Sequence, residues 1–328
     1  MRPSSDAIPL VRERTLTEGF GAALAFHPDG RRWASGDGAE VHVFEGDRVV
    51  TTFDVPDRQR LRFSTDGRWL LASPAAWDLA AGRLDERPSA LDVAFPPGGR
   101  DGFELTAATY TPDGGELLVC AHYRAPRGLP RGAYDDGGPA GPPVQVLLLD
   151  GRTRAVRATL HQSHDLPCEA VAAGEQTLAA AATDVYLWKR PDPGKPRTLR
   201  GADFTVRDLA LSPDEKTVAA GDAAGNVLVW DTATGKRLAR WQAHAEDVRA
   251  VAFAPAGDLL ATGGEDGALH VWRLTKRPVA VATLRGEDPV PGLGFDPTGR
   301  LFVAVGGDEP RIDVYAPLTA RVPSGAPR

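Results

Sequence analysis

The residues able to do chemistry are few and scattered along the chain. Two cysteines, Cys120 and Cys168, lie in separate apolar segments, so they give neither a disulfide framework nor a metal-ligand pair at motif spacing. His42 and His270 each stand two residues before an aromatic, in VHVF and LHVW. Their common setting comes from a repeated segment, and a metal shared between them is not expected. The stretch Tyr134, Asp135, Asp136, Gly137 lacks the alternating carboxylates and closing Glu of a calcium loop. No glycine-rich phosphate loop follows a strand and opens a helix. The chemistry that remains is recognition. Segment 123–143, YRAPRGLPRGAYDDGGPAGPP, is too rich in Pro and Gly for regular structure, yet it carries Arg124, Arg127, Arg131 and Tyr134, residue types favoured at interface hot spots. Neither a metal, a cofactor nor a catalytic residue is expected.

The elements that must position these residues recur. An alternating apolar strand followed by a Pro/Asp/Gly turn appears as LAFHPDG (24–30), LRFSTDG (61–67), ATYTPDG (108–114), LALSPDE (209–215), VAFAPAG (251–257) and LGFDPTG (293–299), with a weaker version at 170–175. Each turn precedes a second apolar run, such as DLLATG (258–263), and then a third ending in an aromatic, such as VYLW (185–188), VLVW (227–230) and IDVY (312–315). Period-2 alternation bounded by Gly, Pro and Asp marks short antiparallel strands. A fourth strand follows in the best units, as in KRLARW (236–241). The turns recur at a spacing of roughly 42 residues where the repeat is best kept, within the range of propeller blades.

Residues 229–272, from VWDTATGKRLARWQA through HAEDVRAVAFAPAGDLLATGGEDGALHVW, resemble the WD-repeat family, named for its Trp-Asp pair. The resemblance covers nearly the whole chain and is strongest over 202–318. It implies an all-β, seven-bladed β-propeller of four-stranded antiparallel blades within residues 1–318. The blades are expected at about 20–55, 56–103, 104–163, 164–201, 202–244, 245–286 and 287–318, and residues 319–328 as a disordered tail. The last blade lacks a fourth strand, and residues 10–17 alternate suitably to supply it and close the ring, which removes an open edge. By the same resemblance His244, Thr262, Asp266 and Trp272 form a buried hydrogen-bonded set. It contains the residue types of a hydrolase triad, but it is read as structural because a nucleophile must meet its substrate. The fifth unit departs from the pattern, with Ala202, Ala220 and Ala224 at the first three places, and the fourth offers only His164, Asp184 and Trp188.

Function is expected on the loops. In the family pattern the loops entering each blade and those joining second to third strands share the narrower face. That puts Asp57, Gln59, Glu104, Thr106, Glu169, Thr205, Arg207, Asp247, Arg249 and Glu265 near one rim, on the same face as the 123–143 insertion. The reading is a non-catalytic scaffold or adaptor binding a protein or peptide partner through that face, monomeric on its own. The alternatives are a propeller-based hydrolase or lyase with its site at the channel mouth, and a regulatory partner of a separate enzyme.

Composition narrows the partners. With 42% hydrophobic and 25% charged residues the chain can bury a core, and its net charge of −6 argues against broad binding to nucleic acid or anionic membrane. The first residues lack the apolar run of a secretory signal, no stretch is apolar enough to cross a bilayer, and a reducing cytoplasm is expected.

Overall fold

Each repeat folds as a four-stranded antiparallel meander, because alternating apolar strands joined by tight turns pair with their immediate neighbours. The computed structural model describes residues 7–17, 23–36, 39–54, 61–64, 67–72, 75–84, 103–123, 144–151, 153, 155–163 and 168–318. The first blade comprises β2 (Ala23–Phe26), β3 (Arg32–Gly36), β4 (Glu40–Glu45) and β5 (Arg48–Asp54), and the second β6 (Leu61–Phe63), β7 (Trp69–Ala72), β8 (Ala75–Asp78) and β9 (Arg83–Leu84). The third comprises β10 (Phe103–Tyr110), β11 (Glu116–Tyr123), β12 (Val144–Asp150) and β13 (Val156–Ser163), and the fourth β14 (Ala170–Ala173), β15 (Thr177–Ala181), β16 (Val185–Lys189) and β17 (Arg197–Leu199). The fifth comprises β18 (Val206–Leu211), β19 (Thr217–Asp222), β20 (Asn226–Asp231) and β21 (Arg237–Gln242), and the sixth β22 (Val248–Phe253), β23 (Leu259–Gly264), β24 (Ala268–Arg273) and β25 (Val279–Arg285).

The seventh blade takes β26 (Gly292–Phe295), β27 (Leu301–Val305) and β28 (Arg311–Tyr315), and its outer strand is β1 (Arg12–Leu16) from the other end of the chain. Leu16 faces Ile312 and Thr15 faces Asp313, whose buried carboxylate accepts a hydrogen bond from the Thr15 hydroxyl at 2.6 Å. The ring is thereby closed by the N-terminal strand. Among the described residues there is no helix, so none is long and apolar enough to cross a membrane.

The first strands of successive blades lie side by side, as β14 with β18, β18 with β22 and β22 with β26, which makes them the innermost strands of the ring. Between blades the two apolar faces meet in buried clusters. Trp230, Leu228 and Val218 pack on Leu187, Val185 and Ala179 between the fifth and fourth blades, and Phe44 and Trp33 pack on Phe302 and Ile312 between the first and seventh. A blade cannot bury both its faces alone, so this stacking carries most of the stability.

Two features depart from the sequence reading. Cys120 of β11 and Cys168, just ahead of β14, form a disulfide across the interface of the third and fourth blades. They are 48 residues apart in the chain, but successive blades face each other, which brings them into register at a Cα separation of 5.8 Å. The expectation of no disulfide is therefore corrected. With it goes the sequence-based reason for a reducing compartment, because such bonds persist in oxidising ones. The second departure is Glu215, which occupies the left-handed position (φ 55°) held by Gly257 in the next blade. Its carboxylate accepts hydrogen bonds from the amides of Glu175 and Gln176, at 2.5 and 3.1 Å, and so ties the fifth blade to the fourth.

Candidate functional site

At one end of the ring the loops entering the fifth, sixth and seventh blades are bonded to loops between second and third strands, of the same blade or of the one before. The amide of Val206 donates to the carbonyl of Ala182, Ala223 to Thr205, Glu265 to Asp247 and Gly306 to Pro289, all within 3.0 Å. These bonds fix the starts of the inner strands, where charged side chains then stand at repeat-related places. Arg207 of β18 reaches Glu169 at 2.7 Å and Asp247 at 3.0 Å. Arg249 of β22 bonds Glu265 at 2.7 Å and approaches Asp247 at 3.9 Å. One chain of ion pairs, Glu169, Arg207, Asp247, Arg249, Glu265, therefore crosses the fourth, fifth and sixth blades. All five side chains are part-exposed, between 24% and 39%. Burial works against the charge of Arg207, but its two carboxylate partners outweigh it and raise its pKa further. With three carboxylates to two guanidiniums, the chain holds a surplus of negative charge.

Thr106 lies beside this chain, with its hydroxyl donating to the carbonyl of Cys168, the residue before Glu169. The hydroxyl is thus spent on the loop backbone, while Thr205 contributes its carbonyl to the loop clasp above. Glu104 is in β10, paired with His122. Asp57, Gln59, Arg124, Arg127, Arg131 and Tyr134 lie outside the described residues, as do His164 and most of the 123–143 insertion. Asp208, which the sequence reading did not single out, accepts the amide of Val251 at 2.9 Å and links the fifth and sixth blades beneath the rim.

The His244 set lies inside the sixth blade. His244 Nδ1 is 2.9 Å from Asp266 Oδ1, His244 Nε2 is 2.8 Å from Thr262 Oγ1, and Trp272 Nε1 donates to the same hydroxyl at 3.0 Å. Burial of the ring lowers the pKa of His244 against the opposing pull of Asp266. For Asp266 burial alone would raise the pKa, but the amides of Ala245 and Ala268 and the imidazole of His244 hold it below the usual carboxylate range. A neutral imidazole beside an ionised carboxylate orders the protons in one direction. Trp272 donates to Thr262, Thr262 to His244 and His244 to Asp266, which leaves no donor of the set unpaired. Thr262 is fully buried, so no substrate reaches its hydroxyl. The fifth blade, lacking this set, has instead a buried Asp222 that accepts the amides of Ala224 and Asn226, both at 2.9 Å.

His42 and His270 each bond a threonine on their own fourth strand, Thr52 at 3.0 Å and Thr283 at 2.9 Å, and so are separate fittings of their blades. His270 stacks edge-on to His244. Burial, and then the neighbouring His244, push its pKa down to about 4. An unfolded histidine titrates near 6.5, so between those values the unfolded chain binds the proton more readily. Stability is expected to be full above pH 6.5 and to fall as the pH drops toward about 4. The His270→Asn variant is expected to show a shallower fall in urea midpoint over that range. A proton-NMR titration of the His270 ring with a midpoint near 6.5 would contradict this account.

Among the described residues no group of three or more His, Cys, Asp or Glu is placed to hold a metal ion. The arrangement holds the loops in place and presents part-exposed charged side chains at the rim.

Comparison with known proteins agrees with this architecture. The WD domain, G-beta repeat model matches residues 194–231 and 235–273, the regions of the fifth and sixth blades. The chain is 36% identical over 105 residues to the Target of rapamycin complex subunit wat1 of Schizosaccharomyces pombe, covering 31% of this chain and 32% of that protein. It is 32% identical over 74 residues to the serine-threonine kinase receptor-associated protein of Gallus gallus, 23% of this chain and 21% of that one. It is 35% identical over 79 residues to Protein hir1 of S. pombe, 24% of this chain and 8% of that one. In each case the match spans a third or less of the relative. Seven four-stranded blades in a closed ring make the chain a β-propeller, and the stretch through its fifth and sixth blades matches the WD repeat.

Proposed function

We propose that the chain is a non-catalytic scaffold that binds a protein or peptide partner through the end of the ring bearing the Glu169 to Glu265 ion-pair chain. That chain is the observation that supports the reading. Its five residues stand on separate strand starts and loops, held by backbone bonds on a rigid ring, and are open to solvent. The surplus carboxylate favours a segment carrying Lys or Arg, with charge complementarity setting orientation and encounter rate. A Lys or Arg from the partner would compete for Asp247 or Glu265 without having to create a new anionic site. The names of two relatives, a complex subunit and a receptor-associated protein, accord with work done in assemblies. The insertion at 123–143 is included as a second arm of the same site, on its sequence alone. The scaffold is taken to act as a monomer, without nucleic acid, membrane or cofactor.

The test is capture of partners by the wild type and by an Arg207→Glu, Arg249→Glu variant lacking residues 124–142. Exposed ion pairs are worth about 1 kcal/mol or less each, so the fold is expected to survive. Because the two changes free Asp247 and Glu265 and make the rim more acidic, the captured set is expected to change, with a shift toward more basic partners. Recovery of an identical set by the variant would put the binding site elsewhere.

A further inference from the structure

At the opposite end from the ion-pair chain, the fifth and sixth blades leave a groove of about 800 Å³ between them. Its floor includes Val229 and Leu238, and its walls are the turns containing Pro213, Pro255 and Pro278. Leu238 is 48% exposed there, unusual for a large aliphatic side chain facing a neighbouring blade. Lys216 and Lys276, two of the five lysines in the chain, form the lips.

The next groove round the ring shows what such a space accepts. Strand pairing makes Leu238 equivalent to Val281, since each is the bulged residue opposite the end of the third strand, and makes Val229 equivalent to Val271. The repeat likewise relates Ser212 to Ala254 and Thr217 to Leu259. Over those four equivalents lies Ile8, 7% exposed, in the same buried cluster as Ala254, Leu259, Val271 and Val281. The amide of Ile8 donates to the carbonyl of Val281 at 2.8 Å, so an extended piece of chain is docked there by one backbone bond and one aliphatic side chain. Under it Val281 is only 2% exposed, against 48% for Leu238. The same pocket is filled between the sixth and seventh blades and open between the fifth and sixth. Val50, the equivalent residue of the first blade, is also exposed, but the turn facing it includes residues outside those described.

We propose that the groove between the fifth and sixth blades docks an extended, acidic segment of a partner protein, with an aliphatic residue seated over Leu238 as Ile8 is seated over Val281. The acidic character follows from the lips. Lys216 stands where the filled groove has Asp258, and Lys276 is exposed beside Arg277 with no ion-pair partner among the described residues. Lys216 is held only by Asp214, at 3.1 Å and well exposed, an interaction that a partner carboxylate readily replaces. This site is independent of the one at the other end of the ring, so either proposal can fail alone.

The probe is a fluorescein-labelled peptide, DEAIPLED, in which the residues that fill the neighbouring groove are flanked by acids, with KKAIPLKK as its counterpart. Fluorescence anisotropy with the full chain is expected to show saturable binding of the acidic peptide, at least about tenfold tighter than the lysine-flanked one. Leu238→Glu is expected to weaken it by about tenfold or more, from the loss of one buried aliphatic contact and the added repulsion. Lys216→Glu with Lys276→Glu is expected to reverse the preference between the two peptides. All three positions are exposed, so thermal unfolding should be unchanged and serves as the fold control. Absence of saturable binding, equal binding of the two peptides, or indifference to Leu238→Glu overturns the proposal. So does a dimer in sedimentation that Leu238→Glu dissociates, which would seat a second copy of the chain in the groove.

Discussion

Deletion of residues 1–18 is expected to cost about 5 kcal/mol and to lower the melting temperature by about 10 °C, with aggregation on heating. The deletion removes β1 from the seventh blade together with the extended segment ahead of it. Ile8 leaves a buried cluster, a burial worth about 1.5–3 kcal/mol for an aliphatic side chain, and Leu10 and Leu16 lose their part-buried packing. The buried carboxylate of Asp313 loses Thr15 and Arg12, and retains only Arg311 at 3.6 Å. β28 becomes an unprotected edge, with a row of free amides and carbonyls open to pairing with another chain. An open ring also loosens the seventh blade against the first, where Phe302 packs on Trp33 and Phe26. Circular dichroism of the truncated chain measures the effect, and an unchanged melting temperature would show that closure does not depend on β1.

What the sequence made visible was whatever repeats. The strand ending in Trp188, Trp230 or Trp272 reads directly from alternation, and the missing fourth strand of the last blade could be inferred because every complete blade has one. What it hid depends on how one blade faces the next. Cys120 and Cys168 gave no signal because their pairing is set by the facing of β11 and the loop before β14, not by spacing. The rim residues Glu169, Arg207, Asp247, Arg249 and Glu265 were legible as positions, but their joining into a single chain needs interblade distances. Glu215 reads as a departure from a glycine turn, and only the structure shows its carboxylate holding the turn of the preceding blade. Asp222 carried a weak signal of its own, an Asp four residues ahead of an Asn in a turn, a pattern in which the side chain caps the turn backbone. Ile8 carried none, since a lone aliphatic before a proline says nothing about the groove it fills.

Thr262→Val is expected to cost about 3 kcal/mol although it changes neither shape nor size appreciably. Valine keeps the methyl contacts and deletes the hydroxyl that stands between Trp272 and His244. The indole N–H is then buried without an acceptor and His244 Nε2 without a donor, and each such loss in the interior costs about 1–3 kcal/mol. Water cannot easily substitute, because Thr262 is fully buried and His244 is 3% exposed. The imidazole keeps its bond to Asp266, so the loop at 265–267 is expected to stay in place and the loss to appear in stability and not in the rim. A double-mutant cycle separates the two orphaned groups. Trp272→Phe removes the indole donor, so in the double variant the penalty for leaving that donor unpaired disappears. The two changes should then cost about 1 kcal/mol or more less together than the sum of each alone. Strict additivity in urea unfolding would mean that the 3.0 Å contact from Trp272 to Thr262 contributes nothing, and that the set is held by His244 and Asp266 alone.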